Sequence, residues 1–173
     1  MTPKRLQEGA AVSTAIVSSA GGTVTLPSLV LLDRADGGHL VVHPPRTVWE
    51  RSELTSRELG SWARLVSATG AAMLECLPQL RGGCVNYWDA GNWSLNDAAG
   101  PIGPKQVEAH REVHLHLFGR SRTAAHPSWL WGEAPAFPRF ANRLEWARNF
   151  QPLSADECAA IRDAVTRRLK AHR

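Results

Sequence analysis

The run Glu112-Val113-His114-Leu115-His116-Leu117-Phe118-Gly119-Arg120 alternates polar and apolar residues, and the polar ones in its centre are histidines. Alternation of this kind specifies a β-strand, because successive side chains of a strand point to opposite faces. Glu112, His114 and His116 therefore share one face, and Val113, Leu115 and Leu117 share the other. Such a chain must fold around a sheet with one face packed and the other presenting imidazoles. Two histidines at i and i+2 stand about 7 Å apart. That suits gripping one phosphate group, or one metal ion, from neighbouring points, and the spacing leaves both open.

Upstream, Thr23–Leu26 and Leu29–Leu32 read as β segments around Pro27-Ser28, and Asp33 to Gly38 reads as the turn after them. His39–His43 is a further short run, ended by Pro44-Pro45, whose missing amide hydrogens stop ladder pairing. The two runs that flank the Gly-rich turn predict an antiparallel hairpin. Thr55-Ser56-Arg57-Glu58 has capping-box spacing, and behind it Leu59, Trp62, Ala63, Val66, Thr69, Met73 and Leu77 recur at helical intervals. The main amphipathic helix is expected over about 55–77. After Gly82-Gly83, Cys84–Trp88 predicts a strand, and the segment from Asp89 to Gln106, rich in Asn, Gly and Pro, a long loop leading into the histidine strand. A loop of that length in a compact domain is often functional.

Beyond the histidine strand, Pro127 to Pro138 is rich in Trp and Pro, too irregular for a regular element and too apolar to float free. Leu144–Phe150 predicts a short helix. Ser154-Ala155-Asp156-Glu157 is a second capping box, opening a helix over about 155–171 with Cys158, Ile161, Val165 and Leu169 on one stripe.

With 173 residues the chain accommodates one domain and appended segments. Twenty Lys and Arg against sixteen Asp and Glu leave a net charge of +4, compatible with an anionic ligand and too weak to argue nucleic-acid binding. The dense basic tail Arg167 to Arg173 reads as a solvated helix end. Three cysteines, Cys76, Cys84 and Cys158, show neither disulfide nor zinc-ribbon spacing, which fits a reducing cytoplasm. The apolar run near Ala10–Val17 is broken by Ser and Thr and is not read as a secretory signal, and no stretch has the length of a membrane span.

Two stretches, Gly38-His39-Leu40-Val41-Val42-His43-Pro44-Pro45-Arg46 and Val113-His114-Leu115-His116-Leu117-Phe118-Gly119-Arg120, together with the order of elements between them, resemble the histidine triad family of nucleotide hydrolases and transferases. The family motif is His-φ-His-φ-His-φ-φ, with φ apolar, and the likeness spans roughly residues 15 to 120. It departs at the first triad position, which here is Glu112. The resemblance implies an α+β fold: an antiparallel sheet of about five strands with one main helix packed on it, in a domain over 15–120. Residues 1–14 are then a flexible N-terminus, and 121–173 a Trp/Pro-rich segment and C-terminal helix packed on the same domain.

It further implies cleavage of dinucleoside polyphosphates such as diadenosine tetraphosphate, or of nucleoside phosphoramidates, through a nucleotidyl-histidine intermediate. His114 would be the nucleophile, held through its other ring nitrogen by a main-chain carbonyl, with His116 and His39 as donors to phosphoryl oxygens. Glu112 would orient the catalytic imidazole through its carboxylate. Asn86 or Asn92 would hold a phosphate or ribose hydroxyl, and Asp33 ribose hydroxyls. Gln106 and His110 would contribute from just upstream of the triad, His110 on the same face if the strand reaches it. No cofactor is required for the covalent step, though a divalent cation would accompany a polyphosphate substrate. Phosphorolysis, nucleotidyl transfer and binding without turnover are the alternatives. The resemblance also implies a homodimer, formed through the main helix and an extra strand. A metal protein using His114 and His116 with His110 or His39 is a reading from a different class, weakened by the lack of other clustered ligands.

Overall fold

The structure, a computed structural model, describes residues 13–89 and 91–171. It is α+β, with one five-stranded antiparallel sheet in the order β1-β2-β3-β5-β4. The strands are β1 (Thr14–Ser19), β2 (Gly22–Leu26), β3 (His39–His43), β4 (Cys84–Trp88) and β5 (Leu115–Arg120). The helices are α1 (Ser56–Cys76), α2 (Val107–His110), α3 (Arg143–Ala147) and α4 (Ala155–Ala171). Most of the flexible terminus expected over 1–14 lies outside the described residues, but Thr14 already belongs to β1.

Helix α1 begins where its capping box is satisfied in both directions: Thr55 Oγ1 accepts from the Glu58 amide, and the Glu58 carboxylate accepts from the Thr55 amide. Arg46 adds a hydrogen bond at 2.9 Å, and that bond, ahead of the Thr55 amide, pulls the Glu58 carboxyl down to about 2. The helix stops before Pro78. Its buried stripe is Trp62, Leu65, Val66, Ala68, Thr69, Ala72 and Met73, so Leu59 and Ala63, expected on that stripe, face outward. Helix α4 carries its own reciprocal cap between Ser154 and Glu157 and buries Ile161, Ala164 and Val165. Together α1 and α4 cover one face of the sheet, meeting Val17, Val24, Leu40, Val42, Val113 and Leu117 in the main core. Trp62 Nε1 pins that layer by donating to Val42 O at 3.3 Å.

The opposite face carries a second cluster of Leu31, Leu32, Phe118 and Trp129, with Leu29, Trp93, Phe137 and Trp146 at its rim. Here the Trp/Pro-rich segment finds its packing. Trp129 is 1% exposed, and its Nε1 donates to Leu31 O at 3.0 Å. One tryptophan thus ties each layer to the backbone beneath it.

Three expectations from the sequence need correction. Leu29–Leu32 is not a strand, and the hairpin it was to form with β3 is made by β2, which pairs Thr23 with His43 and Thr25 with Val41. Leu31 and Leu32 are apolar because they are buried under the Trp129 layer, which a four-residue apolar run does not distinguish from strand burial. Residues 14–19, for which no strand was expected, form β1, which pairs with β2 through a tight turn. There Gly22 has φ +122°, and a Cβ would lie 2.0 Å from His43 O. The histidine strand, expected from residue 112, enters the ladder only at Leu115, and His110 belongs to α2 instead.

Candidate active site

In the β3–β5 ladder His39 faces Phe118 and Val41 faces His116. Strand parity therefore places His39, Val41, His43, His116 and Phe118 on one face, with His114 continuing the row. The ladder brings together four imidazoles: the His43 and His114 ring centroids are 5.7 Å apart, His114 and His116 4.8 Å, and His39 and His116 5.1 Å. His43 was not anticipated as a site residue. The signal was present, since positions 39 and 43 have the same parity in a five-residue strand.

The hydrogen bonds among these rings run in one direction. The Leu31 amide can only donate, and it donates to His39 Nδ1 at 3.1 Å, so the His39 proton resides on Nε2. That Nε2–H donates to His116 Nδ1 at 2.9 Å, which leaves the His116 proton on Nε2. His116 Nε2–H donates in turn to His114 Nε2 at 3.1 Å. His114 then carries its proton on Nδ1, where it donates to the Glu112 main-chain carbonyl at 2.8 Å. A carbonyl can only accept, so the assignment closes from either end with all three rings neutral. A second proton on His116 or His114 would set two N–H groups against each other.

Solvation acts in the same direction. His39 is 1% exposed, and burial, ahead of the neighbouring His116 and His114 rings, holds it well below the ordinary histidine value. Burial first, and then His114 and His43, lowers His116 to about 3. His43 is lowered by burial and His114, with Glu112 opposing; its Nε2 lies 3.2 Å from Thr25 Oγ1. In the unfolded chain these histidines titrate near 6.5. Because their folded values lie below that, the unfolded state takes up protons first as pH falls. The stability they contribute is complete above about pH 6.5 and drains away toward the folded values, at about 1.4 kcal/mol per pH unit for each ring that stays neutral. Thermal unfolding followed by circular dichroism should show a lower midpoint at pH 5 than at pH 7.5, with a shallower pH slope in His116→Asn. An equal midpoint at both values would contradict the neutral chain.

His114 and His116 open onto a cleft of about 330 Å³, whose other lining residues are Leu31, Trp88, Gly91, Asn92, Trp93, Ser94, Phe118 and Phe137. Trp88 and Phe137 stand with ring centroids 4.7 Å apart, forming an aromatic wall beside the imidazoles. No Asp, Glu, Lys or Arg is among the described lining residues. Arg51 and Arg111, outside the lining, are engaged by Asp89 and Glu50. A groove of about 350 Å³ between α1 and α4 offers neither histidine nor carboxylate.

Of the residues expected at the site, His114, His116 and Asn92 line the cleft. His39 lies behind His116 and acts through it. Glu112 is exposed, and the group it gives His114 is its main-chain oxygen, not the carboxylate expected to orient the ring. Asp33 is occupied elsewhere, accepting from the Ala35 and Gln151 amides at 2.8 and 2.7 Å. Gln106 caps α2, and its carbonyl bonds His110 Nδ1 at 3.0 Å, so neither reaches the cleft. Asn86 faces Phe118 across the ladder and lines a different groove. The walls from Trp88, Trp93 and Phe137 were not anticipated individually, since they meet only when the loop after β4 and the Trp/Pro segment fold over the sheet. Among the described residues no cluster of three or more His, Cys, Asp or Glu is arranged to hold a metal ion, and no helix is long and apolar enough to cross a membrane. A scan against protein-family models and a search of curated proteins both return no match for this chain.

Proposed function

We propose that the protein is a nucleotide phosphohydrolase in which His114 Nε2 attacks the phosphorus of a nucleoside phosphoramidate or of a dinucleoside polyphosphate. The observation that carries this reading is the one-way hydrogen-bond chain from Leu31 to Glu112. It keeps His114 neutral, fixes its proton on Nδ1 and turns the Nε2 lone pair and the His116 Nε2–H toward one another at the mouth of the cleft. A phosphoryl group entering there meets a nucleophile and a donor side by side.

As the Nε2–P bond forms, the bond from phosphorus to the leaving group breaks. The leaving amine or phosphate takes its proton from solvent in the open cleft. The ring keeps its Nδ1–H, and the Glu112 carbonyl stabilises the positive charge it acquires. His116 Nε2–H transfers its hydrogen bond to a phosphoryl oxygen, where charge develops. Attack by water on phosphorus then breaks Nε2–P, returns His114 to its neutral form and releases the proton borrowed in the first step. Phosphate or another acceptor in place of water would turn the same intermediate to phosphorolysis or transfer.

The aromatic walls suit a nucleobase, since base stacking on an aromatic ring contributes about 1–3 kcal/mol. A lining without cations favours a substrate of low total charge, hence the phosphoramidate over the tetraphosphate. The reading includes a homodimer formed along the β4 edge, where Tyr87 is 50% exposed and Leu74 on α1 44%.

The test is rapid quenching with adenosine phosphoramidate and, separately, with diadenosine tetraphosphate, followed by mass spectrometry of the protein. An adenylate on His114 and release of AMP are expected. Nucleotide binding with neither adduct nor product would leave a binding protein and overturn the hydrolase reading.

A further inference from the structure

Beyond Phe118 from the histidines, the end of β4 and β5 frames a second groove of about 310 Å³, lined by Cys84, Asn86, Arg120, Trp131, Gly132 and Glu133. Arg120 lies four residues along β5 from His116, about 13 Å at strand rise, so the groove is separate from the reacting centre. Cys84 faces Arg120 and Asn86 faces Phe118 in the ladder.

Arg120 is 5% exposed. Its Nη2 donates to Leu130 O at 2.8 Å and to Glu133 O at 3.0 Å, and its Cζ lies 5.6 Å from the Trp129 ring centroid. Those contacts anchor the turn at 130–133 and leave the rest of the guanidinium unmatched. Among the described residues Nε is buried without an acceptor, Nη1 has none, and no carboxylate forms an ion pair with the group. Burying a guanidinium is costly unless a counter-charge accompanies it, and main-chain carbonyls supply only partial charge. The half-buried Asn86 amide, in the same groove, also lacks a protein partner among the described residues. The Trp131 ring forms the outer wall, with Arg122 Cζ 4.8 Å from its centroid. The Glu133 carboxylate lines the groove without pairing to Arg120. Within the lining Arg120 and Glu133 balance in charge, and Arg122 adds a cation outside it against the Trp131 ring.

We infer that this groove is an oxyanion-binding site for a small molecule bearing a carboxylate or a phosphate, held by Arg120 Nη1 and the Asn86 amide with its body against Trp131. One oxygen on each donor satisfies Nη1 and the Asn86 amide, Nε staying enclosed behind them, and the flat wall accepts a ring or short apolar chain. An anion here also braces the 130–133 turn from below. Cys84 and Arg122 sit at the rim and are not required for the anion itself.

Amide and indole NMR spectra, recorded while sodium phosphate or sodium benzoate is titrated at ionic strength held constant with sodium chloride, test this. Saturable shifts centred on Asn86, Arg120 and the Trp131 indole are expected, and they should persist in His114→Asn. Asn86→Leu should weaken binding about tenfold, the loss of roughly one hydrogen bond to a charged group, and Arg120→Gln should abolish it. Since Asn86 holds no other segment, its variant carries the test if Arg120→Gln disrupts the turn. Stronger shifts with phosphate would identify a phosphate ligand, and stronger shifts with benzoate a carboxylate on a flat ring. Shifts confined to the histidine cleft, or binding undiminished in Asn86→Leu, would overturn the inference.

Discussion

Replacing His114 by Asn should lower kcat for nucleoside phosphoramidate hydrolysis by about 10⁴-fold or more, the scale seen when a covalent nucleophile is removed. Asn preserves a donor for the Glu112 carbonyl, so the thermal midpoint should hardly move. What disappears is the lone pair on Nε2, to which the whole chain of rings is directed. His116→Asn removes a single donor and should cost about 10²–10³-fold. Glu112→Gln should leave the rate within about threefold, because the peptide oxygen, unlike the carboxylate, survives that substitution. His114→Asn enzyme with wild-type turnover would refute the nucleophile assignment, and a large loss in Glu112→Gln would return the carboxylate to the mechanism.

The largest effect on stability should come from Trp129→Ala, at about 3–5 kcal/mol in urea unfolding. The ring is 1% exposed and packs on Phe118 and Phe137, with centroids 4.9 and 5.5 Å away. Its indole N–H holds Leu31 O, one peptide from the amide that sets the His39 tautomer. Removing it empties the second cluster and frees the segment from which the hydrogen-bond chain starts, so the Trp129→Ala enzyme should also lose activity at temperatures where it remains folded. Trp131→Ala, at an exposed position, should change stability by about 0.5 kcal/mol or less. Equal effects of the two substitutions would mean that the second cluster contributes no cohesion.

The elements whose signals are local were legible in the sequence. The capping boxes at Thr55 and Ser154, the apolar stripes behind them and the alternation in β5 each specify an element from a few neighbouring residues, and the antiparallel sheet with one main helix was what the family resemblance of their order implied. Leu29–Leu32 misled because burial beneath Trp129 and burial in a sheet demand the same residue types. β1 was overlooked because its short apolar centre, Ala15-Ile16-Val17, is flanked by Thr14 and by Ser18 and Ser19 and shows no alternation. At the site, strand parity located His114 and His116. The direction of the hydrogen bonds depended on the Leu31 amide and the Glu112 carbonyl, which are main-chain groups common to all residues and leave no mark in composition. Asp33 was assigned to the ligand although two backbone amides already occupy it.

The β3–β5 pairing also bears on the order of assembly. His39 and His116 are 77 residues apart, with α1, β4 and the long loop lying between them in the chain. The β1–β2 and β2–β3 hairpins close over short spans and can form early, whereas docking β5 between β3 and β4 requires the largest loop closure in the sheet. Gly37 and Gly119 make that docking close: a Cβ on either would lie 2.0–2.2 Å from the other's carbonyl oxygen. A folding intermediate with both hairpins and α1 but without β5 therefore has no site in any degree. The imidazole cluster arises with the longest closure in the sheet, and competence waits on the docking of β5.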